Sequence, residues 1–170
     1  MKIRACVSQR MALWWGGALL ALLALLSVTG CATASGGGQP LTDIVTDSDE
    51  PEARKRARIR LELAVGYFEQ GQTTVALDEI KQALAVDPTY AEAYNLRGLI
   101  YMRLNDFRLA EESLRRAMTL NPRDGNVTHN YAWLLCQQTR FPESFQAFQQ
   151  AIANPAYGGR AKTWMALGLC

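Results

Sequence analysis

Residues 91–122 read AEAYNLRGLIYMRLNDFRLAEESLRRAMTLNP, and this stretch decides the fold. Its small and apolar residues recur at helical spacing as far as Arg103, break at Asn105, resume at Phe107 and stop at Asn121-Pro122. Such a pattern predicts two amphipathic helices joined by a tight turn. The same pattern returns at a step of 34 residues: Ala83, Ala117 and Ala151 keep it, as do Pro88 and Pro122. A period of that length marks a unit that cannot bury its own apolar face and must stack on its neighbours.

Placing the closing proline at position 32 starts the units at Ala57, Ala91 and Gly125. The tetratricopeptide pattern can then be checked site by site. The first unit supplies Leu63, Ala64, Tyr67, Ala76, Ile80, Ala83 and Pro88, departing at Arg60; the second supplies Tyr94, Gly98, Tyr101, Ala110, Leu114, Ala117 and Pro122, departing at Arg97. The third is looser, with Tyr131, Ala132, Leu135, Ser144, Phe148 and Ala151, and with Pro155 one place early. The expected fold is all-α, a right-handed superhelical solenoid of helix-turn-helix repeats over 49–170. Its repeats span about 57–90, 91–124 and 125–158, and a fourth starts at 161–170. Small residues at positions 8, 20 and 27 let paired helices approach closely. Gly71, Asn105 and Thr139 fall at the intra-repeat turns, where a residue tolerant of positive φ is wanted and Thr139 fits worst. Pro142 suits the first turn of a helix. Asp87-Pro88 and Asn121-Pro122 stop the second helices. Asp49 is expected to cap the first helix, with Glu52 answering three residues later.

The leader is a separate matter. Lys2, Arg4 and Arg10 precede an uncharged run from Met11 to Val28 and then Val28-Thr29-Gly30-Cys31. A positive start, an apolar core and small residues before a cleavage point describe a secretory signal over 1–30, against an uncleaved anchor helix as the alternative. Val-Thr-Gly-Cys resembles a bacterial lipobox, which implies cleavage before Cys31 and acylation of that cysteine, palmitate included. With no aspartate at Ala32, the resemblance implies sorting to the periplasmic side of the outer membrane. Residues 31–48 are polar and Gly-rich and read as a flexible tether.

Removing residues 1–30 takes away three basic side chains and no acidic ones, so 18 basic and 16 acidic residues become 15 and 16. The remaining chain is near neutral, which removes the electrostatic basis for a nucleic-acid partner. The single histidine, His129, has no Cys or His cluster at ligand spacing, and no phosphate loop or nucleophile elbow occurs. No metal, cofactor, small-molecule substrate or enzymatic activity is expected. The cluster Arg54, Lys55, Arg56, Arg58 and Arg60 reads as a solvated helix face balanced by Glu50, Glu52 and Glu62, with a contact to anionic headgroups as the alternative.

Positions 2, 5, 9 and 12 of each first helix face the concave side in tetratricopeptide domains. By that resemblance the candidate partner-binding groove comprises Leu61, Val65, Phe68, Asn95, Leu99, Met102, His129 and Trp133, with Cys136 at its end. Most of these are apolar, as in grooves that take a peptide through spaced anchors. Cys136 and Cys170 fall on neighbouring first helices, and export to an oxidising compartment allows a disulfide between them. Two free buried thiols are the alternative.

The combination resembles a known family. Leader, tether, Asn130-Tyr131-Ala132-Trp133-Leu134-Leu135-Cys136, Arg140-Phe141-Pro142-Glu143-Ser144, Ala153-Asn154-Pro155 with Tyr157, and Leu167-Gly168-Leu169-Cys170 are similar to the PilW/PilF family of type IV pilus biogenesis and stability lipoproteins, which act as pilotins for the outer-membrane secretin. The resemblance implies a lipid-anchored, non-catalytic scaffold that binds a secretin segment and promotes secretin localisation and assembly. A generic tetratricopeptide lipoprotein that scaffolds barrel assembly or cell-wall enzymes is the alternative. Members carry further repeats, so a truncated chain is expected where this one stops, ten residues into its fourth unit.

Overall fold

The computed structural model describes residues 49–170, all within one unit of the chain, Val45–Cys170. The signal, Cys31 and the whole tether lie outside the described residues. Among the described residues seven helices follow in order: α1 (Glu52–Glu69), α2 (Thr73–Val86), α3 (Ala91–Arg103), α4 (Phe107–Leu120), α5 (Gly125–Gln137), α6 (Phe141–Ala153) and α7 (Arg160–Leu169). No strand occurs among the described residues. Helix α1 packs on α2, α3 on α4 and α5 on α6, and each pair then meets the next through α2–α3, α4–α5 and α6–α7. The first helices of successive units also touch, α1 with α3 and α3 with α5. This is the stacked solenoid that the 34-residue period predicts, with α7 opening a fourth unit one residue before the expected start.

Close approach within each pair rests on the small residues. Ala64, Ala76, Ala83, Ala110, Ala117, Ala132 and Ser144 are fully buried, and Ala151 nearly so. A Cβ added at Gly98 would lie 2.6 Å from Leu114 Cγ, so α3 and α4 meet there with no room for a methyl group. Ser144 takes an alanine position because its hydroxyl donates to the Ala132 carbonyl at 2.8 Å, satisfying a buried polar group. Around these contacts run two apolar clusters, one centred on Ile80 and Ile100, the other on Leu114, Leu134, Leu135 and Phe148.

The three intra-repeat turns share one geometry. Gly71, Asn105 and Thr139 have φ of 77°, 61° and 61°. In each turn that residue's N–H reaches back three residues and the following N–H reaches back five, as in Gln72 to Tyr67, Asp106 to Tyr101 and Arg140 to Leu135. This is the Schellman pattern, and it satisfies carbonyls that the helix end leaves open. The β-branched Thr139 adopts the left-handed conformation even so, because the shared turn dictates it. Between repeats, Asp87, Asn121 and Asn154 are extended before Pro88, Pro122 and Pro155.

One expectation fails at the start of the domain. The N-cap of α1 is Pro51 and no side chain caps that helix end, so the Asp49–Glu52 capping box does not form. Proline is pre-set in φ and lacks the N–H a cap residue need not use, so the helix starts two residues later than Asp49 would have placed it. Four of the five side chains of the basic cluster are paired: Arg54 donates to Asp87, Arg58 binds Glu62 at 3.0 Å and Glu50 at 3.4 Å, Lys55 meets Glu52 at 3.0 Å and Arg60 meets Glu79 at 2.8 Å. Arg60 thus departs from the repeat pattern to tie α1 to α2. Arg97 does likewise, donating to Ser113 Oγ at 2.9 Å and lying 4.7 Å over the Tyr94 ring.

Candidate partner-binding groove

The first helices α1, α3, α5 and α7 carry the candidate groove side by side. On α1, Val65 is exposed, while Leu61 and Phe68 are half-buried against the first apolar cluster. The Arg103 guanidinium lies 3.7 Å over the Phe68 ring and donates to the Phe68 carbonyl at 2.6 Å. A partner reaching Phe68 would therefore have to displace that cation. On α3, the Asn95 amide oxygen accepts from Asn130 at 2.9 Å, closing the seam between α3 and α5. Leu99 and Trp133 are half-buried against the second cluster and keep part of their surface free.

Two expected lining residues are largely covered. Met102 is only 7% exposed and belongs to the second apolar cluster, because α5 packs over that end of α3. His129 is also 7% exposed and sits beneath α7. Its Nδ1 lies 2.9 Å from Thr163 Oγ1, and the Tyr157 hydroxyl lies 2.8 Å from the same oxygen. Since Thr163 donates to the Gly159 carbonyl at 3.2 Å, its lone pairs are left to accept from His129 Nδ1–H and Tyr157 O–H. The imidazole stacks at a tilt on Phe148, with centroids 5.6 Å apart. Burial, helped by the charge of Lys162, pushes the His129 pKa down to about 4, so the ring is neutral at pH 7. It is a structural link between α5 and α7.

Above that ring the strip opens into a pocket of about 340 Å³ lined by His129, Trp133, Lys162, Met165, Ala166 and Leu169. Met165 and Leu169 are 66% and 79% exposed. Groove residues on α7 are absent from the expected set, although counting from 161 puts Lys162, Met165 and Leu169 at positions 2, 5 and 9 of the fourth unit. The repeat register was the signal that would have found them. Cys136 and Cys170, at the far end of α5 and α7, face each other with Cα atoms 5.7 Å apart. A second cavity of about 310 Å³ lies between α6 and α7, lined by Phe141, Pro142, Phe145, Phe148, Leu167 and Cys170. Among the described residues no group of three or more His, Cys, Asp or Glu side chains is placed to hold a metal.

Comparison with known proteins agrees with this geometry. A model of the TPR repeat matches residues 66–105 and a model of the tetratricopeptide repeat matches 91–124. The type IV pilus assembly protein PilF of Pseudomonas aeruginosa is 32% identical over 152 residues, covering 89% of this chain and 58% of its own length. An uncharacterized protein of Haemophilus influenzae is 29% identical over 114 residues, covering 67% of this chain and 64% of its own. The chain thus spans less than two thirds of the length of each of these relatives. Among solved structures, Pseudomonas aeruginosa PilF superposes with a TM-score of 0.67 at 27% identity, over 70% of this chain and 54% of that one. PilW, described as a widely conserved type IV pilus biogenesis factor, gives 0.64 at 31% identity, over 67% and 52%. From its repeats, its stacked helix pairs and these matches, the chain is a tetratricopeptide-repeat protein homologous to PilF.

Proposed function

We propose that this chain is a non-catalytic scaffold of type IV pilus biogenesis, acylated at Cys31, held at the periplasmic side of the outer membrane, and binding a segment of the secretin subunit in its groove to promote secretin assembly. The observation that carries the reading is the homology to PilF across 89% of the chain, joined to an open apolar pocket where a stacked-repeat domain meets its partners. The lipobox supports the anchor, and the adjacency of Cys136 and Cys170 supports a disulfide formed after export. Such a bridge pins α7, a ten-residue helix too short to persist alone, against α5. The test is complementation of a deletion strain, with detergent-resistant secretin multimers read by immunoblot. Wild-type protein restores multimers, and Cys31→Ser moves the protein off the outer membrane and lowers their yield. Full multimer levels in the deletion strain would refute the role.

A further inference from the structure

The α5–α7 pocket has an asymmetry that bears on what it binds. Its walls are apolar, from Trp133, Met165, Ala166 and Leu169, and no carboxylate lines it. At its rim stands Lys162, and among the described residues no acidic side chain lies within ion-pairing distance of it, whereas Arg54, Arg58 and Arg60 of α1 each meet a carboxylate. Beneath the rim the neutral His129 ring supplies no compensating charge. Filling the pocket with a large side chain would strip water from the Lys162 ammonium as well as from the apolar walls. A ligand that desolvates an ammonium without pairing it loses affinity, whereas one that brings a carboxylate recovers it.

We propose that the pocket takes a partner segment in which a large apolar anchor, aromatic or branched aliphatic, is flanked by an acidic residue that pairs with Lys162. This rests on the groove reading and names the chemistry of its occupant. The apolar anchor supplies binding energy by area; the carboxylate sets register along the groove, so that only segments with the two features adjacent dock in one position.

The probes are two blocked hexapeptides, Ac-GDFLSG-NH2 and its asparagine counterpart Ac-GNFLSG-NH2, added to the full-length chain in mild detergent. Binding is followed by shifts of the His129 ring resonances, which belong to the only histidine in the sequence. The aspartate peptide binds roughly threefold to fivefold more tightly than the asparagine one, the range of a partly exposed ion pair. Lys162→Gln removes that preference, because the asparagine peptide no longer strips water from an unpaired ammonium and binds at least as tightly as to wild type; Trp133→Ala weakens both. Equal binding of the two peptides, a preference that survives Lys162→Gln, or binding of neither would overturn the proposal. So would concentration-dependent self-association lost in Met165→Ala, since the pocket would then belong to a second copy. An acid preference in vitro, with full secretin multimers in Trp133→Ala cells, would instead sink the assigned partner and leave the pocket chemistry standing.

Discussion

Two glycine-to-alanine substitutions in neighbouring first helices should move stability in opposite directions. In a helix interior alanine is favoured over glycine by about 0.8–1 kcal/mol, because glycine gives up more backbone freedom on folding. At Gly66 in α1 an added Cβ meets nothing within 4 Å, so Gly66→Ala should stabilise by about that amount. At Gly98 the same Cβ falls 2.6 Å from Leu114 Cγ, 2.8 Å from Leu114 Cδ2 and 3.4 Å from the Ala110 carbonyl oxygen. The atom struck is a branch point of a fully buried side chain, so it cannot swing into solvent. Either Leu114 leaves its rotamer or α3 and α4 move apart, at a cost of about 1–3 kcal/mol for overpacking, and the opposing propensity gain leaves Gly98→Ala destabilised by up to about 2 kcal/mol. The two variants should differ by roughly 1–3 kcal/mol, read as urea midpoints at constant slope. Gly98→Ala as stable as Gly66→Ala would refute the claim that position 8 sets the spacing of the helix pair.

Three further outcomes follow from the geometry. Because the His129 pKa is depressed to about 4 from an unfolded value near 6.5, the unfolded chain binds more protons between these limits. Its stabilising contribution is therefore full above pH 6.5 and is lost as pH falls towards 4, by at most about 3 kcal/mol. The urea midpoint should fall more steeply over that window in wild type than in His129→Gln, and parallel curves would contradict the burial. The proposed Cys136–Cys170 bridge closes a loop of 34 residues, so reduction should cost on the order of 3 kcal/mol in the loop-entropy model and expose α7 to hydrogen exchange ahead of α5; two alkylatable thiols in the exported protein would exclude the bridge. Thr139→Gly should stabilise by about 0.5–1 kcal/mol, because it relieves a β-branched residue held at φ 61°, and a loss of stability would show that the threonine side chain contributes more than the turn strain it causes.

The fold was legible because period, small residues and turn residues all act locally or through the repeat itself. Ala110 opposite Gly98, Asn105 at the turn and Pro122 after α4 each have one physical role that recurs 34 residues away. The groove was less legible, because repeat position tells which face a side chain points to and not what the next unit lays over it. Met102 and His129 have the register of groove residues, yet α5 covers the first and α7 the second. Phe68 keeps its place but carries Arg103, a side chain from the next repeat whose partner no local pattern announces. At Asp49 the failure was of another kind: a plausible capping pair was preempted by the proline at 51, which fixes where the helix begins.

The account stands or falls on whether the strip between α5 and α7 is where the partner lies. A photo-cross-linking residue placed at Met165, inside the pocket, and at Arg108, on the second helix of the second repeat, would report this in cells, with products identified by mass spectrometry. The account predicts a secretin adduct from Met165 and none from Arg108. Secretin adducts from Arg108 alone, with the Met165 variant folded and unlinked, would contradict it.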